Sequence, residues 1–234
     1  MKYRLYNQET NTFPYIVHGN GGRWAEQWSH IYRDYLSGDV IPCESCPLLT
    51  IYTWNTQDKI SPLEKSLRLM GISCVVLGKG KQWYVGAQTE WTAEYLETCK
   101  TQYAMGLDAF DVLILESPTQ ILRTYLNYFG NKVLFAAELN SWPQHPELET
   151  FESLRPEARG RFIHLNGGCV IGPTALLREV YKTALQKEDT VIGNTQQVWV
   201  RRAHQRMQND VTLDYRCQIF QCLYNTDCVK GIYL

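Results

Sequence analysis

The chain carries almost no excess of charge. Its 24 acidic residues against 23 basic ones leave a formal net charge of −1, so no basic field exists to draw nucleic acid or an anionic membrane surface. No apolar run approaches the length of a membrane span, and Met1-Lys2-Tyr3-Arg4 lacks the apolar core of a signal peptide. The expectation is a soluble protein, not visibly exported, with the cytoplasm as its default location. A second cysteine pair is also missing. Among eight cysteines only Cys43-Glu44-Ser45-Cys46 forms a close pair, and Cys217, Cys222 and Cys228 complete no zinc pattern, so mostly buried free thiols are expected. Gly78-Lys79-Gly80 lacks the third glycine and the following helix of a dinucleotide fingerprint. There is no internal repeat and no low-complexity segment. What is present is ordinary globular composition, 44% hydrophobic and 20% charged, over 234 residues. Seven tryptophans and 15 tyrosines favour pockets that stack flat rings.

Residues 1–12 read as polar and turn-like, 13–17 as a short strand, and 24–36 as a helix with Trp24, Trp28, Ile31, Tyr32 and Tyr35 at helical spacing. Between strand and helix, His18-Gly19-Asn20-Gly21-Gly22-Arg23 is a turn that can bring backbone N–H groups to an anion. Residues 38–47 form a linker broken by glycine and prolines. A strand at 48–54, a helix at 62–70 and a strand at 71–78 predict a parallel βαβ unit. The loop at 78–83 then lies at a strand's carboxyl end, where open α/β sheets bind ligands. A helix over 88–105, a strand over 107–115, a helix over 118–129 and a strand over 132–137 follow. After a long loop at 138–160 come a glycine-rich bend into a strand at 162–172, helices at 174–186 and about 194–207, and strand-like stretches at 211–220 and 229–234.

Asp108-Ala109-Phe110-Asp111 stands beside the apolar run that follows it. Two carboxylates at this spacing can enter one crevice as hard oxygen ligands for Mg²⁺ or Mn²⁺, which leave positions open to phosphate oxygens. Equally, Asp108 can cap a turn and Asp111 lie solvated at a strand edge.

From residue 48 to 220 the chain resembles one family, the glycosyltransferase domain of procollagen lysyl hydroxylases. The resemblance rests on several motifs in order: Leu77-Gly78-x-Gly80-x-x-Trp83, Asp108-x-Phe110-Asp111-Val112, Val133-Leu134-Phe135-x-Ala137-Glu138, Trp142-Pro143, Leu165-Asn166-x-Gly168-x-x-Ile171-Gly172 and Leu213-Asp214-x-Arg216-Cys217-x-Ile219-Phe220. It implies a GT-A-type α/β fold, a mixed and mostly parallel sheet flanked by helices, with a UDP-sugar donor and Mn²⁺ or Mg²⁺. It implies retaining transfer of glucose from UDP-glucose to hydroxylysine-linked galactose on a collagen-like chain. Asp108 and Asp111 would hold the metal. Thr53, Trp54, Trp83 and Phe110 would form the nucleotide pocket. Glu138, Trp142 and Asn166 would line the sugar and acceptor side.

The family's His-Gly-Asn-Gly, whose histidine is the third metal ligand, falls near its carboxyl end. Here it matches His18-Gly19-Asn20-Gly21 at the chain start. The resemblance therefore implies a circular permutation of a single domain, 1–234: a displaced segment at 1–37, a linker at 38–47 and the body at 48–234. His18 would join the metal, with Gly19, Asn20, Gly21 and Arg23 at the diphosphate. Two departures touch activity. The family's Asp-Asp-Gln falls at Gln196-Gln197, with Glu188 or Asp189 as candidate substitutes, and a lysine becomes Thr89. A UDP-sugar glycosyltransferase is the leading expectation. A catalytically weakened or non-catalytic UDP-sugar or glycan-binding domain is the alternative, and nucleotide-sugar hydrolysis a third.

Overall fold

A computed structural model of the chain describes residues 3–21, 26–186 and 195–233. In chain order the elements are β1 (Tyr3–Asn7), β2 (Ile16–His18), α1 (Glu26–Ser37), β3 (Leu49–Trp54), α2 (Pro62–Leu69), β4 (Val75–Leu77), α3 (Ala87–Thr98), β5 (Tyr103–Asp108), β6 (Val112–Ile114), α4 (Pro118–Phe129), β7 (Val133–Glu138), α5 (Pro146–Ser153), β8 (His164–Pro173), α6 (Thr174–Ala184), α7 (Thr195–Arg206), β9 (Val211–Leu213), β10 (Phe220–Cys222) and β11 (Val229–Tyr233).

The centre is a six-stranded sheet in the order β4-β3-β5-β8-β7-β9. Strands β4, β3 and β5 are parallel, β8 runs against both β5 and β7, and β9 is parallel to β7. Five strands therefore share one direction, and β8 alone is reversed. This mixed α/β architecture, with a mostly parallel sheet flanked by helices, fits the expected GT-A-like fold. Residues such as Leu49, Ile51 and Tyr52 of β3, and Tyr103 to Leu107 of β5, are buried on both faces. That is why β3 reads as a nearly continuous apolar run rather than an alternating one. One face packs α3, α6 and α7 through Trp91, Leu96, Leu177, Val180, Tyr181 and Val200. The other packs α2 and α4 through Leu63, Leu67, Ile121 and Tyr125.

Two smaller sheets complete the fold. In one, β2 lies between β10, to which it is parallel, and β6, to which it is antiparallel. In the other, β1 pairs antiparallel with β11, with Tyr3 opposite Tyr233. Beneath them sit Leu5, Val17, Ile31, Tyr35, Leu113 and Leu223. Among the described residues no helix is long and apolar enough to cross a membrane. All eight cysteines are free, and Cys46, Cys169, Cys217, Cys222 and Cys228 are buried.

Five expectations change, the first being that the strand-like stretch at 211–220 is two short strands, β9 and β10, in different sheets. Residues 3–7, read as turn-like, form β1, because Tyr3, Leu5 and Asn7 face inward while Arg4 and Tyr6 face outward. The helix over 88–105 ends at Thr98, and Tyr103–Asp108 is a strand. The single strand over 107–115 is two, β5 and β6, which belong to different sheets. The long loop at 138–160 contains α5, started by Pro146 and by Glu147 and Glu149 in its first turn.

Candidate metal and nucleotide site

Strand register builds the site. At the end of β3, Trp54 lies opposite Asp108. The chain turns between β5 and β6 through Ala109-Phe110-Asp111. There the Ala109 carbonyl accepts from the N–H of Leu63 at the start of α2, 3.2 Å. In the second sheet His18 is the partner of Val112, and the Gly19 N–H donates to the Asp111 carbonyl, 2.7 Å. The imidazole from the start of the chain is thereby delivered to the carboxylates. His18 Nε2 lies 3.4 Å from Asp108 Oδ2 and 3.5 Å from Asp111 Oδ2.

The histidine is buried and the two carboxylates are part-exposed. Burial opposes a charge on the imidazole, but the facing Asp111 carboxylate and the hydrogen bond with Asp108 lift the His18 pKa well above its ordinary value. Burial raises Asp108 against the pull of His18. The same histidine, acting against burial, holds Asp111 below the usual carboxylate range.

Room for an ion comes from Gly168. Pairing of β7 with β8 shifts register after Phe135, so residues 167–169 swell out of the ladder. A Cβ on Gly168 would collide with the Asp108 carboxylate and the His18 ring. Beyond the triad opens a cleft of about 620 Å³, lined by Trp28, Trp54, Gln57, Trp83, Phe110 and the two aspartates. Trp83 and Phe110 are 45% and 37% exposed, so each has a ring face available for stacking.

A matching family model, described as the PLOD GT domain, covers residues 43–230. The chain belongs to this glycosyltransferase family. Among curated relatives similar to it, the multifunctional procollagen lysine hydroxylase and glycosyltransferase LH3 of Homo sapiens is 24% identical over 201 residues, 79% of this chain and 26% of that protein. The corresponding Caenorhabditis elegans protein is 27% identical over 197 residues, 75% of this chain and 25% of its own length. The uncharacterized protein R699 of Acanthamoeba polyphaga mimivirus is 27% identical over 187 residues, 74% of this chain and 38% of that protein. The chain thus spans well under half the length of these relatives. Among solved structures, A197 from STIV matches 67% of this chain and 78% of its own, with a TM-score of 0.41 at 16% identity.

Members of the PLOD GT family are expected to hold a divalent ion, and the residues present fit one. His18, Asp108 and Asp111 each offer a ligand atom, all within 4.8 Å of one another. Two carboxylate oxygens and one imidazole nitrogen suit Mn²⁺ or Mg²⁺ with positions left open.

The other expected residues are placed as follows. Trp54, Trp83 and Phe110 line the cleft, while Thr53 is buried in the sheet with its hydroxyl donating to the Leu107 carbonyl, 2.7 Å. Asn20 is committed inside the protein. Its amide donates to Glu138 Oε2, 2.7 Å, and its oxygen accepts the N–H groups of Leu223 and Tyr224, 2.9 and 3.1 Å. Gly21 is exposed with a φ of 93°. Arg23, Glu188 and Asp189 lie outside the described residues.

Glu138 is buried at the end of β7, and its other oxygen accepts from the Asn166 amide, 2.9 Å. Burial pushes its pKa up to about 7, against that hydrogen bond. Trp142 is 60% exposed. Gln196 donates to Gln88 Oε1, 2.9 Å, and accepts the Gly86 N–H, 3.2 Å. Gln197 accepts the Gly167 N–H, 3.0 Å, and donates to the Leu165 carbonyl.

Sequence reasoning missed Gln88, whose amide reaches Asp108 Oδ1 at 3.4 Å, and Lys59, whose ammonium sits 5.4 Å from the Phe110 ring centre. It also placed Trp28 only by its helical spacing. That spacing does put it next to Tyr32, on which it stacks, and it leaves the cleft-facing side of the ring without a signal.

Proposed function

We propose that this domain transfers a hexose from UDP-glucose or another UDP-sugar to an acceptor such as hydroxylysine-linked galactose on a collagen-like chain. Asp108, Asp111 and His18 would hold Mn²⁺ or Mg²⁺, and retention of configuration is expected by resemblance to the family. The observation that carries this reading is the arrival of His18, from outside the matched segment 43–230, at 3.4 and 3.5 Å from the two aspartates. A bound cation would neutralise charge on the departing diphosphate. The protein's own groups do the rest. Trp83 and Phe110 offer ring faces to the base, Gln88 steadies Asp108, and the Asn20–Glu138–Asn166 bridge fixes the turn that follows His18.

The amides of Gln196 and Gln197 supply no carboxylate, and both are engaged within the protein. Transfer is therefore expected to be slow, or aimed at a different acceptor from the family's. The permuted order of segments belongs to the same reading. It is supported by the pairing of β1 with β11, which brings the two ends of the chain together.

The test is thermal unfolding with UDP, with and without Mn²⁺, since a ligand that binds only the native state raises its melting temperature. UDP should stabilise the wild type only when the ion is present, and neither Asp111→Ala nor His18→Ala should respond. A UDP shift indifferent to chelator and to both substitutions would overturn the metal-bridged site. Release of UDP from a panel of UDP-sugars, with and without a galactosyl-hydroxylysine peptide, then identifies donor and acceptor.

A further inference from the structure

We propose that Arg201 is a positioning residue for the exposed loop around Trp142, which the glycosyltransferase reading takes as the acceptor side: from the middle of α7 it engages the residues on either side of Trp142. This rests on the glycosyltransferase reading for its kinetic consequence, although not for its geometry. Arg201 is 1% exposed, the largest side chain so deeply buried among the described residues. Its guanidinium engages Glu152 with two parallel bonds, Nε to Oε1 and Nη2 to Oε2, both 2.8 Å. The remaining donors reach forward to the loop after β7. Nη1 donates to the Pro143 carbonyl and Nη2 to the Ser141 hydroxyl, each at 2.9 Å. Glu152 is locked in turn by His164 Nδ1, 2.9 Å.

Trp142 stands between the two clamped residues with most of its ring in solvent. Among the described residues, no backbone–backbone hydrogen bond outside helices and strands involves residues 139–144. The loop is fixed by side chains, with Asn140 on one side and Arg201 on the other. A buried ion pair is often no more stabilising than well-packed apolar residues of similar volume. What a guanidinium adds is a rigid fork that orders several acceptors at once, which the single ammonium of lysine cannot reproduce.

The division of labour follows from α7. Its first turn braces the nucleotide side, through Gln196 to Gln88 and Gln197 to Gly167. Arg201, further along, reaches only the loop, Glu152 and nothing in the metal triad. Loss of its fork should therefore disturb the acceptor side and spare UDP and metal binding.

The experiment uses the full chain with 5-fluorotryptophan, and Trp142→Phe to assign the Trp142 fluorine resonance. In Arg201→Lys, and to a smaller degree in Ser141→Ala, that resonance should shift or broaden while those of Trp54 and Trp83 stay put. The acceptor KM should rise about tenfold in Arg201→Lys, with Mn²⁺-dependent UDP affinity changed less than about twofold. An unmoved Trp142 resonance in both variants overturns the proposal, as does a parallel loss of UDP affinity and transfer in a folded variant. If Arg201→Lys fails to fold, Ser141→Ala decides alone, because it removes one contact to the loop and no buried charge. If the wild type transfers no sugar, the glycosyltransferase reading fails, and the fluorine spectra still show whether Arg201 holds Trp142.

Discussion

At the scale of single residues, the proposed triad of His18, Asp108 and Asp111 would tie proton binding to metal binding. The raised pKa of His18 means that its protonated form is favoured in the metal-free folded protein. That stabilisation is fully present below the unfolded value of about 6.5 and is lost as pH rises through the folded value. A metal must displace the same proton, so its affinity should rise by up to about tenfold per pH unit over that window. The Mn²⁺-induced gain in melting temperature is thus expected to widen from pH 6 to 9 in the wild type, and melts of His18→Ala should show no such trend. Glu138 offers a second test. Both its oxygens accept hydrogen bonds, and the donating amides cannot turn, because their own oxygens are held by the N–H groups of Leu223, Tyr224 and Gly168. Glu138→Gln, although nearly isosteric, sets an NH₂ against an NH₂ and should cost about 1–3 kcal/mol in urea unfolding. Asp108 and Asp111 stood out in the sequence only with the family resemblance, since two acids beside an apolar run alone also fit a capped turn and a solvated strand edge. Gln88 and Arg201 did not, since their partners lie 20 to 108 residues away and nothing local distinguishes a bracing amide or guanidinium from a solvated one.

At the scale of elements, the starts of α2, α4 and α6 were marked in the sequence, whereas that of α5 was passed over as loop. Ser61-Pro62-Leu63-Glu64 forms a full capping box, with the Ser61 hydroxyl accepting the Glu64 N–H at 3.2 Å and the Glu64 carboxylate accepting the Ser61 N–H at 3.0 Å. Ser61→Ala should cost about 1 kcal/mol, seen as a fall of roughly 2–4 °C in melting temperature. Because Leu63 holds the Ala109 carbonyl, a weaker metal-dependent UDP shift should accompany it. Helix ends were harder to read. Between Thr98 and Tyr103 no glycine or proline punctuates the chain, so the helical pattern was carried into β5. The strand β1 was hidden by its polar residues, one of which, Asn7, is buried because it donates to Gln221 Oε1 at 2.7 Å. That partner is 214 positions away and could not be inferred from local pattern.

At the scale of the whole molecule, the proposed permutation implies that the order of segments is separable from their arrangement in space. Tyr3 faces Tyr233 across the β1–β11 ladder, so a short linker can join the chain ends, and new ends can be opened in the irregular stretch between α1 and β3. This re-ordered chain should bind UDP with the same Mn²⁺ dependence, measured by thermal shift. A folded product that had lost the response would show that chain order matters to the site. The sheet itself was largely legible from its apolar runs, whereas the association of β2 with β10 was not, because two three-residue strands carry too little pattern to announce a partner. Their pairing also has a temporal side. Strand β2 is made well before one of its partners, yet it must stand between β6 and a strand that begins at Phe220. At 5–20 residues per second, a ribosome needs roughly 10–40 s to travel from one to the other. During that interval the nascent chain carries an unmatched Ile16-Val17-His18 edge, and the histidine proposed as a metal ligand is not yet held on its β10 side.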